Sequence, residues 1–192
     1  MAKFFGNLNL VLATGLALAI GVMLCYAEYA PIDVNSLFHW LHVVVGILWI
    51  GLLYYLNFVQ VPTMPAIPAE QKGAITGHIA PKVLFYFRYA ALLTVITGLT
   101  IAINAGYAHR AMTFAGATRA ENMIGLGMWL ALVMAFNVWF IIWPAQKKIL
   151  GIVEASAEEK AAAAPRALIA SRLNTLLSLP MLWCMANANI NM

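Results

Sequence analysis

The chain of 192 residues is 64% hydrophobic and only 9% charged, and its mean hydropathy is +0.85. A soluble domain of this size cannot bury that much apolar surface, so the composition excludes a soluble globular protein and indicates a membrane protein. In such a protein the formal net charge of +4 reports the orientation of the loops rather than a nucleic-acid-binding surface.

Stretches of roughly 20 apolar residues each predict one membrane-spanning helix. Five such stretches follow one another along the chain, at residues 8–28, 37–59, 83–105, 123–143 and 168–187. The sequence therefore predicts an all-α membrane protein, a single domain built as a bundle of five transmembrane helices.

The connections between the predicted spans differ in composition. Residues 60–82 contain four prolines and predict ordered turns. Residues 144–167 are rich in Ala, Glu and Lys, and they predict a solvated extension of the fourth helix that ends near Pro165. Residues 106–122 form the remaining long connection, on the opposite side of the membrane.

The basic residues predict how the spans are oriented. With five spans, the N-terminus and residues 60–82 and 144–167 share one side, and nine of the eleven Lys and Arg residues lie on it or near it. Only Arg110 and Arg119 belong to the other side. Because cytoplasmic loops carry an excess of Lys and Arg, we expect the N-terminus in the cytoplasm and the C-terminus in the periplasm, across a bacterial inner membrane.

Two histidines open the second predicted span, in the stretch HWLHVVVGILWIG at residues 39–51. His39 and His42 share one helix face because they are three residues apart. The predicted topology places both in the outer half of the membrane, with His109 on the same side. His78 belongs to the cytoplasmic side, a full span of about 30 Å away. A site that combines His39, His42 and His109 is therefore allowed, and one that includes His78 is excluded.

Imidazoles from facing helices hold haem iron in helical bundles, where the porphyrin needs a flat slot. Gly46 follows His42 by one turn on the same face and offers such space. We therefore expect His42 to ligate the iron of a b-type haem, with His39 and His109 as further candidates. Two alternatives stay open. In the first, His39 is a residue of the membrane–water interface and the glycine lets transmembrane helices pack closely. In the second, the imidazoles bind copper or zinc.

A second set of polar residues is predicted at the cytoplasmic ends of the spans. Arg88, Asn137 and Asn174 predict a polar pocket for an anionic or amide-rich ligand, since an amide buried in lipid needs a partner. In the alternative interpretation, Arg88 simply extends to the membrane surface. Three threonines of the third span are expected to bond to their own helix backbone: Thr94, Thr97 and Thr100.

Four stretches, in this order, resemble the membrane domain of the bacterial membrane-bound urate oxidase (urate hydroxylase) family. They are WLHVVVGILWIG (40–51), FYFRYAALLTVITGL (85–99), NVWFIIWPAQKKIL (137–150) and SRLNTLLSLPMLWCMANAN (171–189). The resemblance extends over residues 36–189, most of the chain. It implies oxidation of urate with electrons passed outward to cytochrome c, and it implies a functional role for His42. The resemblance also includes four positions on the cytoplasmic side of the predicted bundle: Arg88, Asn137, Gln146 and Asn174.

The chain departs from this family pattern at Phe85 and Leu173, where the pattern has histidines, and its 192 residues include no cytochrome c domain. Three hypotheses follow. The first is a redox module that passes electrons to a periplasmic cytochrome or a larger complex. The second is a cofactor-free accessory subunit of a membrane assembly, and the third is urate oxidation with a separate cytochrome c. Whether the chain is an enzyme stays open. The partners expected are membrane lipids, other membrane subunits or a periplasmic cytochrome, and no nucleic acid.

Overall fold

The computed structural model describes residues 1–188, and every regular element in them is a helix. Five helices are long, and we label them in chain order: α1 Leu8–Cys25, α2 Val34–Ala66, α3 Ala69–Asn104, α4 Arg119–Ile149 and α5 Ala157–Asn187. All five are long and apolar enough to cross a membrane. The predicted all-α fold with five such helices is confirmed, while its orientation in a membrane stays a prediction. Asn189, the last residue of the stretch 171–189, and the C-terminus lie outside the described residues.

Two shorter helices complete the secondary structure, Ala2–Phe5 before α1 and Ala108–Met112 between α3 and α4. Polar side chains satisfy backbone N–H groups in the first turn of four long helices, as helix N-termini require. These caps precede α1, α2, α4 and α5, and they are Asn7, Asp33, Thr118 and Ser156.

The prediction for residues 144–167 was wrong about where the helices begin and end. α4 stops at Ile149, and the chain turns through Gly151, whose φ of +70° suits glycine. α5 then begins at Ala157 and continues through Pro165. The start is fixed by a capping box, in which Ser156 accepts from the Glu159 backbone N–H at 3.1 Å and Glu159 accepts from that of Ser156 at 3.0 Å.

Residues 60–82 are also more helical than predicted, because wide π turns accommodate two of their four prolines, Pro62 and Pro81. Each of three π segments is followed by an α segment with a proline at its second residue. Proline lacks an N–H and its ring clashes with the preceding turn, and a wider turn relieves that clash. The π segments are Tyr55–Gln60 in α2, Ile75–Ile79 in α3 and Asn137–Ile142 in α4.

The core lies where α2, α3, α4 and α5 meet. Its largest side chains are completely shielded from solvent: Trp49, Leu53, Phe87, Met134 and Val138. α2 and α3 run antiparallel along their length, which brings the beginning of α2 beside the end of α3. By contrast, α1 contributes no buried residue. The four-helix core therefore positions the polar residues discussed below, and α1 leaves its apolar surface uncovered by the rest of the described chain.

Candidate functional site

The most informative polar contact joins His42 of α2 to Thr97 of α3. The His42 Nδ1 atom lies 3.0 Å from Thr97 Oγ1. The Thr97 hydroxyl lies 2.7 Å from the Leu93 carbonyl and 3.1 Å from the Thr94 carbonyl, and a hydroxyl that donates to either one accepts from the imidazole. In that arrangement the proton of the neutral imidazole is on Nδ1, and the Nε2 lone pair is free to accept a hydrogen bond or bind a metal.

Two glycines border the imidazole, and they differ in what a side chain would meet. A Cβ at Gly98 of α3 would lie 2.8 Å from His42 Cε1, so the ring can rest against α3 only because Gly98 has no side chain. A Cβ at Gly46 would have its nearest neighbour, Thr94 Cγ2, at 4.0 Å. Gly98 is therefore required by the position of His42, and Gly46 borders open space.

His42 lines a groove of about 560 Å³ between α2 and α5. Its volume falls in the range of roughly 300–1,000 Å³ typical of cofactor and ligand sites. The lining is almost entirely apolar, with a few groups that can bond to a ligand, as such sites usually are. The groups that matter for its chemistry are His42, Gly46, Trp49, Thr94, Met181 and Met185.

Trp49 also lines the groove and carries an unsatisfied group. Its side chain is fully buried, and its Nε1–H has no hydrogen-bond partner among the described residues. An N–H buried without an acceptor costs about 1–3 kcal/mol. Because the Nε1 atom itself is buried, the groove reaches the Trp49 ring rather than its N–H, and His42 is the residue that points to a ligand.

The other two histidines predicted for this site lie elsewhere on the surface. His39 and His109 are exposed, and neither lines the groove. Within residues 1–188 no group of three or more His, Cys, Asp or Glu side chains is placed to hold a metal ion. Next to His109, Arg110 pairs with Glu121 at 2.7 Å, and this hydrogen bond raises the pKa of Arg110. The structure thus singles out His42.

At the opposite end of the core, the asparagines bind one another rather than facing a cavity. Asn137 Nδ2 of α4 donates to Asn174 Oδ1 of α5 at 2.8 Å, and Asn174 Nδ2 donates to the Met134 carbonyl at 3.0 Å. Asn57 Nδ2 of α2 donates to Ser171 Oγ of α5 at 2.8 Å. These amides hold the helices together, which is what a buried amide in an apolar bundle has to do.

Arg88 is separate from that pair. Its side chain is only 8% exposed, and its guanidinium carbon lies 3.4 Å from the centre of the Trp143 ring. Its Nε and Nη1 atoms are buried and have no partner among the described residues. The three side chains predicted to form one pocket therefore divide into a satisfied Asn137–Asn174 pair and an unsatisfied Arg88.

Sequence reasoning missed Thr97 and Gly98 as neighbours of the His42 ring, and Met185 in the lining of the groove. The threonines of α3 do bond to their own backbone, as predicted, through the Ala90, Leu93 and Ile96 carbonyls. A threonine hydroxyl that bonds to its own helix backbone still has an oxygen lone pair, which can accept a hydrogen bond from a neighbouring helix. That possibility at Thr97 was the first signal missed. The adjacent Gly98 was the second signal, since a glycine within an apolar helix often marks a close approach.

Comparison with known families found a match over the second half of the chain. The model of the family described as "Urate oxidase N-terminal" matches residues 91–192, more than half of the chain. The chain belongs to the urate oxidase N-terminal family. The resemblance inferred from the sequence is confirmed over those residues, which include Asn137, Gln146 and Asn174, whereas His42 and Arg88 precede the match. Comparisons with curated proteins and with solved structures found no match.

Proposed function

We propose that the chain is a membrane redox module, related to the urate oxidase N-terminal family, that holds a b-type haem through His42. The observation that carries the proposal is the His42–Thr97 hydrogen bond, which leaves the Nε2 lone pair free beside a groove of about 560 Å³. When bound, the haem would supply one-electron transfer between the ferrous and ferric states of its iron.

The residues of the groove suit such a group. Its apolar walls match a porphyrin face, and its volume is sufficient. Met181 and Met185 bring thioether sulfurs to the same groove, and a thioether with an imidazole is a known pair of axial haem ligands.

The neighbours of His42 would tune and protect the site. Thr97 fixes the ring orientation and keeps the proton on Nδ1, which is the role an outer-shell acceptor plays for a ligating histidine. Gly98 lets the ring lie against α3. The predicted orientation puts His42 in the outer half of a bacterial inner membrane, where electrons would pass to a periplasmic cytochrome or a larger complex.

The visible spectrum of the chain purified from membranes tests this proposal. We expect a Soret band in the wild type and in the His39→Ala variant, because His39 does not line the groove. The His42→Ala variant should fold but lack the band. A colourless wild type of normal helical content, produced with ample haem, would contradict the proposal.

A cofactor-free accessory subunit is the second candidate, and α1 is the observation that favours it. None of its 18 residues is buried, and most of its apolar side chains are exposed. Such a helix is suited to pack against another membrane subunit. A colourless, folded chain that copurifies with one defined membrane protein would support this candidate over the first.

Urate oxidation is the third candidate, because the chain belongs to the urate oxidase N-terminal family. The test is urate-dependent reduction of an added cytochrome c by the purified chain in lipid nanodiscs. Reduction above that of empty nanodiscs would support it. No reduction at high protein concentration would exclude catalysis by this chain with an added cytochrome c.

A further inference from the structure

Arg88 carries a buried charge for which the described chain offers no counter-ion. Two ion pairs occur within residues 1–188, Arg110–Glu121 and Lys148–Glu159, and neither involves Arg88. Two of its nitrogen atoms, Nε and Nη1, are buried without acceptors. Unpaired charges within an apolar bundle are costly and are usually neutralised by a ligand or partner.

A second cation and an aromatic ring surround the guanidinium. Arg88 stacks on the face of Trp143, with 3.4 Å between its carbon and the ring centre, so its in-plane N–H groups stay available. The Lys147 ammonium lies 5.9 Å from the centre of the same ring. Two positive groups thus lie close to one indole ring, and an anion beside that ring would be attracted by both.

An apolar groove of about 380 Å³ lies next to this cluster, between α3 and α4. It is lined by Leu92, Val95, Ala135, Phe136, Trp139 and Phe140. Trp139 connects the groove to the cationic cluster, because its Nε1–H donates to the Arg88 carbonyl at 3.2 Å. Phe136 and Phe140 are more than half exposed and would face lipid in a membrane.

We propose that this face of α3 and α4 binds an anionic phospholipid, with its phosphate on Arg88 and Lys147 and an acyl chain in the groove. The guanidinium is rich in N–H donors and carries a positive charge without a counter-ion in the described chain, and a phosphate supplies both acceptor oxygens and the opposite charge. The apolar groove favours a lipid over a free anion, because only a lipid brings a hydrocarbon chain to it. Tryptophan beside the headgroup position fits its preference for the membrane interface.

Native mass spectrometry of the full chain in neutral detergent, with added phosphatidylglycerol or phosphatidylcholine of the same acyl chains, tests the proposal. We expect phosphatidylglycerol to bind about tenfold more tightly. Arg88→Gln should abolish that preference, because it removes the positive charge; the Nε and Nη1 atoms have no hydrogen-bond partner to lose in the described chain. Arg172→Gln, at an exposed arginine on α5, is the matched control and should keep the preference.

A second variant tests the apolar groove separately from Arg88, and a competition experiment distinguishes a lipid from a free anion. Ala135→Phe fills the groove and leaves Arg88 in place, so both lipids should bind several-fold more weakly to it. Inorganic phosphate at millimolar concentration should not displace phosphatidylglycerol. Equal binding of the two lipids by the wild type would overturn the proposal, as would unchanged selectivity in Arg88→Gln. Displacement by free phosphate would instead identify a small-anion site and overturn the lipid assignment.

Discussion

The two ends of the contact between α2 and α5 behave differently. At one end, which we call the Asn57 end, Tyr54 bonds to Ser178 at 3.0 Å and Asn57 bonds to Ser171 at 2.8 Å. At the other, the His42 end, a groove of about 560 Å³ lies between the same helices. At the Asn57 end, hydrogen bonds between the helices hold them together, and Asn57 Oδ1 is buried without a partner in the described chain. At the His42 end, the imidazole lines an open groove between the same helices, and this contrast is what distinguishes a binding site from a structural contact.

Asn174→Ala should give the largest loss of stability, since it breaks the hydrogen bonds that join α4 to α5 near the Asn57 end. It removes both hydrogen bonds of a fully buried amide and leaves the Asn137 Nδ2 donor unsatisfied. We expect the free energy of unfolding to fall by about 2–3 kcal/mol. Thermal unfolding in detergent measures this, with Asn187→Ala, at an exposed amide of the same helix, as the control. Equal midpoints for the two variants would argue against a structural role for the Asn137–Asn174 pair.

Alanine at the two glycines of the His42 end should have effects of opposite sign. Gly98→Ala puts a methyl group against the His42 ring, and this overpacking should cost about 1–3 kcal/mol of stability. Gly46→Ala places the same group in open space and should stabilise the helix by up to about 1 kcal/mol. Thermal unfolding of both variants measures the difference. Equal destabilisation by the two would mean that the His42 ring does not lie against Gly98.

Thr97→Val removes the acceptor for His42 Nδ1 at almost constant volume. We expect haemin affinity to fall about 10- to 100-fold, as for other outer-shell partners of a ligating histidine. Thr100→Val is the matched control, because the Thr100 hydroxyl bonds only to the Ile96 carbonyl of its own helix. Optical titration with haemin measures both. The same affinity in the two variants would show that Thr97 does not position His42.

The smallest effect is expected from Asp33, which caps α2 outside the spans. The backbone N–H and the hydroxyl of Ser36 stabilise its carboxylate and lower its pKa from the ordinary 3.8. Because the pKa is lowered on folding, the cap stabilises the protein above pH 3.8, and its contribution disappears as the pH falls through the lowered pKa. The unfolding midpoints of the wild type and Asp33→Ala should therefore differ by a constant amount above pH 3.8 and converge as the pH falls below it. A difference that narrows above pH 3.8, or that persists at the lowest pH at which the protein still folds, would contradict this.

Hydropathy was sufficient to predict the five helices, because helix length and apolar content are local properties of the sequence. It misplaced their ends, since the Ser156 capping box starts α5 ahead of Pro165, and π turns carry α2 and α3 through prolines expected to form turns. A capping box can be recognised from sequence, but a π turn depends on how the neighbouring helices pack.

The candidate site could be predicted only in part. His42 was identified from its position in an apolar helix, where an ionisable residue is unusual. Its partner Thr97 lies 55 residues away, and the register of two antiparallel helices cannot be read from either helix alone. For the same reason the sequence did not show that Asn137 and Asn174 bind each other while Arg88 lies apart from them. Sequence placed those residues at a similar depth, but it did not determine which of them face each other.

The central claim is that His42 presents an unprotonated Nε2 to the groove as a ligand. Nitrogen-15 resonances of labelled histidine test it most directly, because the chain has only four histidines and each can be assigned by substitution. We predict a protonated Nδ1 and a bare Nε2 for His42. Addition of haemin should shift that Nε2 signal and leave those of His39, His78 and His109 unchanged. A protonated Nε2 on His42, or a His42 signal that saturating haemin does not alter, would contradict the account.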